Sequence, residues 1–397
     1  MRTIMKDFWE EQKVKKLNKK RIVIISLIIL LIIFIITIAI IYAKNETFRE
    51  WIDKNILRKE VNQENLVSIE IKENENPTVY AFNQYIGILN KNEFKIYNNT
   101  GKEEATLNLS ITTPIISSNN RYIAIGEENG QKLYLIVDKD IVWETEIEGN
   151  ISNIVVNQNG YVAVSITNTI NKTVVSVYDP QGNELFKTFY ASNRVGDIAI
   201  SNDNKYLAVA EIDTSGTIIK SNIQTISIEG ASSNPESSAI KKYEGENNSL
   251  ISNIEYQENN KLVCLYTNKI DVISEDGNVE TLTDISDKKN TFSSVELSNN
   301  IVKVTEESSG IFTADSIVTM QNTESKKETT YKVESVAKEI YTSKNKIGLN
   351  LGTEIEFINT SGWLVKRYIS NQEITKVTMT DSIAGIVFRD RIEIVNL

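Results

Sequence analysis

Apolar and polar residues are distributed so differently along the chain that it falls into two dissimilar parts. Ile22 to Ala43 is a run of 22 residues without a charge, in which only Ser26, Thr37 and Tyr42 are polar. As a helix it would extend about 33 Å, the thickness of a bilayer's hydrocarbon core. A helix apolar on every face needs either complete burial or lipid, so the run predicts a transmembrane helix over 22–43. It exceeds the usual core of a signal peptide, and Ala39 and Ala43 do not form an A-x-A cleavage pattern, so the expectation is an uncleaved signal-anchor. Thr47 and Glu50 then have the spacing of a capping box, and Phe48, Trp51, Ile52 and Ile56 share one helical face. Residues 44–77 are read as a juxtamembrane helix and a stalk carrying one strand over 66–71.

From residue 78 to 397 the period changes to two, with turns every 8–12 residues, the signature of many short antiparallel strands. One unit recurs: a polar turn, often Asn-rich, then an aromatic or aliphatic residue, an apolar residue and a small one. It begins at Tyr85, Tyr122, Tyr161, Tyr206, Leu262, Ile301, Lys346 and Ile383, at spacings of 37, 39, 45, 56, 39, 45 and 37 residues. Seven of the eight units have a small third residue, and Lys303 is the exception. A second marker is an apolar residue five positions before a glycine, at Gly101, Gly182, Gly277 and Gly362, close to two units apart each time. Each such glycine predicts a hairpin between the third and fourth strands of a unit. Periods near 40 residues with four strands indicate propeller blades. The last unit has only three strands, Ile374–Thr380, Ile383–Arg389 and Arg391–Leu397, so the strand at 66–71 is expected to supply the fourth and close the ring. The fold class predicted is all-β, an eight-bladed β-propeller with seven blades as runner-up, preceded by a single transmembrane helix. The fourth unit is stretched by an insertion around 232–238.

Charge then sets orientation and excludes partners. The net charge is −10, but residues 1–21 carry +5, which leaves −15 for the remainder. Positive flanks stay cytoplasmic, so residues 1–21 form a basic cytoplasmic tail and the propeller is extracytoplasmic at the cell membrane. An acidic domain repels phosphate backbones, so no nucleic acid is expected among the partners, which are the lipid bilayer and a protein or cell-envelope component.

Candidate chemistry is sparse. The absence of histidine removes Ser-His-Asp and Cys-His nucleophiles and His-ligated zinc or haem. The single cysteine, Cys264, allows no intrachain disulfide and reads as a buried core residue. Asp138-Lys139-Asp140 and Ser274-Glu275-Asp276-Gly277 read as solvated turns. Trp363 and Tyr190 could stack on a sugar, although strand aromatics more often cover a core. With 53 acidic residues, spacing selects no catalytic pair. No catalytic, cofactor-binding or metal-ligating residue is assigned, and no cofactor is expected.

A short basic tail, one transmembrane helix and a propeller with the generic hairpin Asn-Gly-Tyr-Val-Ala-Val at 159–164 together resemble an uncharacterised, clostridial-type family. That family comprises membrane-anchored WD40-like or quinoprotein-like β-propeller proteins, described only by a domain of unknown function. Trp-Asp dipeptides are absent, and only Trp143 and Trp363 lie in the propeller, so the resemblance carries over no site residue. The function expected is a non-enzymatic, membrane-tethered module binding a protein or an envelope polymer. The alternative is a carboxylate-dependent hydrolase or glycan-processing propeller.

Overall fold

The computed structural model describes residues 19–57, 59–61, 66–72, 75–234, 239–310 and 313–397. Most of the basic tail (1–18) and part of the fourth-unit insertion (235–238) lie outside the described residues. The chain divides into two compact units, Met1–Glu60 and Val61–Leu397.

The first unit holds helix α1 (Lys19–Lys44) and helix α2 (Glu46–Asn55). Within α1, Val23–Lys44 is long and apolar enough to cross a membrane, and none of it is buried against protein. Its two small hydroxyls are satisfied within the helix, Ser26 Oγ donating to the Val23 carbonyl at 2.9 Å and Thr37 Oγ1 to the Ile33 carbonyl at 2.8 Å. The capping-box expectation is corrected. Helix α2 begins earlier than Thr47 implied, because Asn45 is the N-cap and its Oδ1 accepts from the Phe48 amide at 2.9 Å. Asparagine serves as an N-cap as well as threonine does, and here it lies immediately after α1, so the chain turns within one residue. The elbow is held by Asp53, which accepts from Tyr42 Oη at 2.6 Å and pairs with Lys59 Nζ at 2.9 Å.

The second unit is an eight-bladed propeller, each blade a four-stranded antiparallel sheet. Blades 1 to 7 occupy 78–108, 114–146, 150–190, 194–243, 251–284, 290–333 and 339–369 and run inner to outer in chain order. Blade 8 combines Lys376–Met379, Ile383–Val387 and Arg391–Asn396 with the closing strand Val67–Glu70. That strand pairs antiparallel with Arg391–Asn396, in the register Val67↔Ile394 to Glu70↔Arg391. The eight repeat units of the sequence begin at or within one residue of the second strand of each blade.

A four-stranded sheet has two faces, and no blade can bury both alone. The core is accordingly divided into eight clusters, one at each seam between neighbouring blades. Phe82, Phe94, Ile123 and Tyr134 join blades 1 and 2. Val79, Ile86, Ile383 and Ile394 join blades 1 and 8, with Val67 and Ile69 of the closing strand packed against them. Where the third residue of a unit is glycine, it has a steric cause. A Cβ on Gly87 would lie 2.4 Å from the Phe94 ring, and one on Gly348 would lie 3.1 Å from Met379 Sδ in the next blade. Cys264 is fully buried in the cluster shared by blades 4 and 5, and burial pushes its thiol pKa well up. Lys303, the exception, is half-buried and sends its ammonium to Thr283 Oγ1 of blade 5 at 3.1 Å.

The second marker recurs on alternate blades. Gly101, Gly182, Gly277 and Gly362 close the third-to-fourth hairpins of blades 1, 3, 5 and 7, with φ between +73° and +87°. Each donates its amide to the carbonyl three residues back, at 2.8–3.0 Å. In blade 2 the equivalent turn is Asp138-Lys139, with Asp138 at φ +53°. In blade 4 it is replaced by an insertion containing helix α3 (Ile228–Ser233).

The close fit at Gly87 yields a contrast that can be measured. Gly87→Ala is expected to cost about 1–3 kcal/mol, because the fully buried Phe94 ring must shift within a packed core to admit the methyl. Gly216→Ala, whose Cβ would meet nothing closer than 3.8 Å, is expected to change stability by less than about 0.5 kcal/mol. Urea denaturation of the two variants decides this, and equal effects would contradict the packing account.

Candidate functional site

The inner strands of all eight blades surround a cavity of about 1040 Å³. Alternation along each inner strand turns every second side chain to this channel, so its wall is largely polar: Tyr80, Ser118, Asn153, Glu255, Thr342 and Thr378 come from blades 1, 2, 3, 5, 7 and 8. Several of these groups hold one blade to the next. Thr378 Oγ1 accepts from the Ala81 amide at 2.6 Å, Ser117 Oγ from the Val156 amide at 3.1 Å, and Ser294 and Thr342 share a hydrogen bond of 2.9 Å. Channel chemistry and ring cohesion therefore use the same strands.

Three carboxyl groups converge on the channel from blades 4, 5 and 6. Asp197 is tied to its neighbours through both oxygens. Oδ1 accepts from Asn153 Nδ2 of blade 3 at 2.8 Å, and Oδ2 accepts from the Ile254 amide and Asn253 Nδ2 of blade 5 at 2.8 and 3.3 Å. Burial nevertheless raises its pKa above the usual carboxylate value, against the pull of these bonds. Glu296 is raised by burial and by the charge of Asp197, and it accepts from Thr342 Oγ1 at 3.4 Å. Glu255 differs from both, because among the described residues no donor reaches its carboxylate. Enclosure by the ring, and then the charges of Glu296 and Asp197, push its pKa up to about 8. It is half-buried and lines the channel. At neutral pH the site therefore holds a protonated carboxyl beside two others, able to donate a proton or hydrogen bond into the cavity. Among the described residues, no group of three or more His, Cys, Asp or Glu side chains is placed to hold a metal ion.

The other sequence candidates occupy structural positions. Asp138 accepts from Asn83 Nδ2 at 3.1 Å and pairs with Arg121 at 2.5 Å, which makes it a turn residue joining blades 1 and 2. In Ser274–Gly277 the glycine amide returns to the Ser274 carbonyl at 2.8 Å, an ordinary tight turn. Tyr190 is buried between blades 3 and 4 and donates to Gln224 Oε1 at 2.8 Å, while Trp363 is partly exposed in a hairpin of blade 7. Asp197, Glu255 and Glu296 were not selected from the sequence. Their one local signal is a polar side chain alternating with isoleucine or valine on an inner strand or just beyond its end, as in Asp197-Ile198 and Ile254-Glu255, and many exposed acids share it.

Glu255 gives stability a pH dependence of definite sign. Its pKa rises from an ordinary 4.5 to about 8 on folding, so between these values the folded state binds more protons than the unfolded. The contribution is full below the ordinary value and is lost as pH rises to about 8. Asp197 and Glu296 are shifted in the same direction and reinforce it. The denaturation midpoint of wild type is expected to fall between pH 5 and pH 8, and Glu255→Gln to flatten that slope and to exceed wild type at the upper end; parallel slopes in both proteins would contradict the assignment.

Solved structures similar to this chain are propellers. The C-terminal WD40 domain of Sif2 is 12% identical with a TM-score of 0.56, over 83% of this chain and 98% of that one. The dihydro-heme d1 dehydrogenase NirN in complex with DHE is 12% identical with a TM-score of 0.51, over 85% of this chain and 72% of that one. BamB from Moraxella catarrhalis is 12% identical with a TM-score of 0.49, over 84% of this chain and 100% of that one. At these identities the likeness to the first two shows the fold alone. No curated protein sequence matches the chain. A family model described as a family of unknown function, DUF5711, matches residues 57–397, and the chain belongs to that family.

Proposed function

We propose that this protein is a non-catalytic interaction module, anchored in the cell membrane by its N-terminal helix and presenting its propeller outside the cytoplasm to a protein or polymer of the cell envelope. The observation that carries the reading is how the most connected polar group of the channel is used. Asp197 has both carboxylate oxygens engaged in joining blades 3, 4 and 5, so it stiffens the ring and is not free to attack a substrate. The ring is cross-linked elsewhere in the same manner. Asn157 Nδ2 donates to Ser201 O at 3.0 Å, Asn202 Nδ2 to Gln257 O at 2.9 Å, Gln257 Nε2 to Asn300 O at 2.8 Å and Thr380 Oγ1 to Asn83 O at 2.9 Å. A rigid surface loses little conformational entropy on binding. The basic residues before the helix support a cytoplasmic N-terminus.

Glu255 favours a second reading, a carboxylate-dependent hydrolase in which its carboxyl, holding a proton to about pH 8, protonates a leaving group. The two readings diverge under Glu255→Gln. Hydrolysis would collapse by 100-fold or more, whereas partner binding at the outer surface would not change.

Two measurements test the primary reading in cells. Protease added to intact cells is expected to remove a C-terminal epitope tag, and its survival until lysis would contradict the orientation. Photo-crosslinking from surface positions of the propeller is expected to give the same discrete adduct in wild type and Glu255→Gln. Absence of any adduct, together with a hydrolytic activity that Glu255→Gln abolishes, would transfer support to the enzyme.

A further inference from the structure

The first unit exposes apolar surface beyond the end of its apolar run. Trp51 of α2 is 55% exposed, and Ile56 and Leu57, which follow the helix, are exposed as well. We propose that α2 and these two residues lie in the interfacial layer of the bilayer that α1 crosses, with phospholipid as the partner of Trp51, Ile56 and Leu57. This interface rests on the membrane-anchor part of the reading above and is independent of what the propeller binds.

The level of α2 is set by α1. Tyr42 belongs to the apolar span Val23–Lys44, and its hydroxyl donates to Asp53 Oδ1, in the last turn of α2, at 2.6 Å. Lys59 Nζ reaches the same two side chains, Asp53 at 2.9 Å and Tyr42 Oη at 3.0 Å. At its other end α2 is separated from α1 by Asn45 alone. Both ends of α2 are thus tied to the final turn of the span, so the helix does not stand clear of the membrane surface.

The clasp has the chemistry that this level requires. Asp53 is 6% exposed, in a unit whose apolar residues are largely open. A carboxylate in water needs no such enclosure, whereas one at the edge of the hydrocarbon is costly unless it is paired and hydrogen-bonded. Lys59 supplies the charge and Tyr42 the hydrogen bond.

The exposed side chains fit the same layer. Phe48, Trp51 and Ile52 fall on one arc of α2 by helical spacing, and tryptophan is the side chain most at home between headgroups and acyl chains. Residues 44–60 hold five basic and four acidic side chains, so attraction to anionic lipid is slight and apolar insertion supplies the binding.

Site-directed spin labelling of the full chain in nanodiscs tests this. Cys264 is the sole native cysteine and is fully buried, so a cysteine introduced at an exposed position takes the label alone. Trp51→Cys and Ile56→Cys report on α2, Leu30→Cys on the middle of α1, and Glu103→Cys on the exposed surface of blade 1. In phosphatidylcholine, collision with a water-soluble nickel complex is expected to be about threefold lower at 51 and 56 than at 103, and lowest at 30. Adding phosphatidylglycerol is expected to leave these ratios unchanged. Equal collision at 51, 56 and 103 would overturn the proposal, as would protection seen only with the anionic lipid, or dipolar broadening that places a second copy of the chain against Trp51. Low access at 30 with full access at 51 and 56 removes α2 from the membrane and leaves the anchor, whereas full access at 30 removes the anchor itself.

Discussion

The burial of each blade's faces against its neighbours is the interaction on which the propeller depends. Eight separate apolar clusters exist, and each belongs to a seam between two blades, so none of them is a private core. A linear stack of such sheets would leave two apolar faces in water. Closure removes both, and the seam that closes the ring is the one reinforced by the strand Val67–Glu70, from the other end of the unit. Val67 also packs against the Gly101 hairpin of blade 1, where a Cβ on the glycine would lie 2.1 Å from Val67 Cγ1. The closing strand therefore completes blade 8 and touches blade 1 together.

The polar groups extend the same constraint. Side chains at the channel wall accept backbone amides from the adjacent blade, and asparagines at the first hairpins bridge to the next hairpin. The unusual electrostatics of the channel follow from this geometry. Inner strands that approach closely enough to share hydrogen bonds also bring Asp197, Glu255 and Glu296 within range of one another, in an enclosure where charge is costly. Asp197 is compensated by three donors, whereas among the described residues none reaches Glu255, and burial with the charges of Glu296 and Asp197 pushes its pKa up to about 8.

Much of the architecture was legible in the sequence because it is periodic. The glycines at 87, 348 and 385 answer a steric demand at the same position of three blades, and the glycines at 101, 182, 277 and 362 answer a dihedral demand made on alternate blades. Such repeated demands leave repeated letters. The channel carboxyls were not legible, because each arises once and is defined by what faces it across the ring, 57 residues away in the case of Asp197 and Ile254. The Asn45 cap was missed because Thr47 and Glu50 offered a competing pattern two residues later.

Native-state hydrogen exchange on the full chain carrying Val67→Asp and Ile69→Asp tests ring closure most directly. The account predicts that protection falls at Ile392 and Ile394, the strand partners of the altered segment, and then across the other seams at a common, lowered free energy, because opening one seam exposes faces that the neighbouring blades cannot cover. Loss confined to residues 67–70, with all other amides protected as in wild type, would show that the blades hold together without the closing strand and would contradict the account.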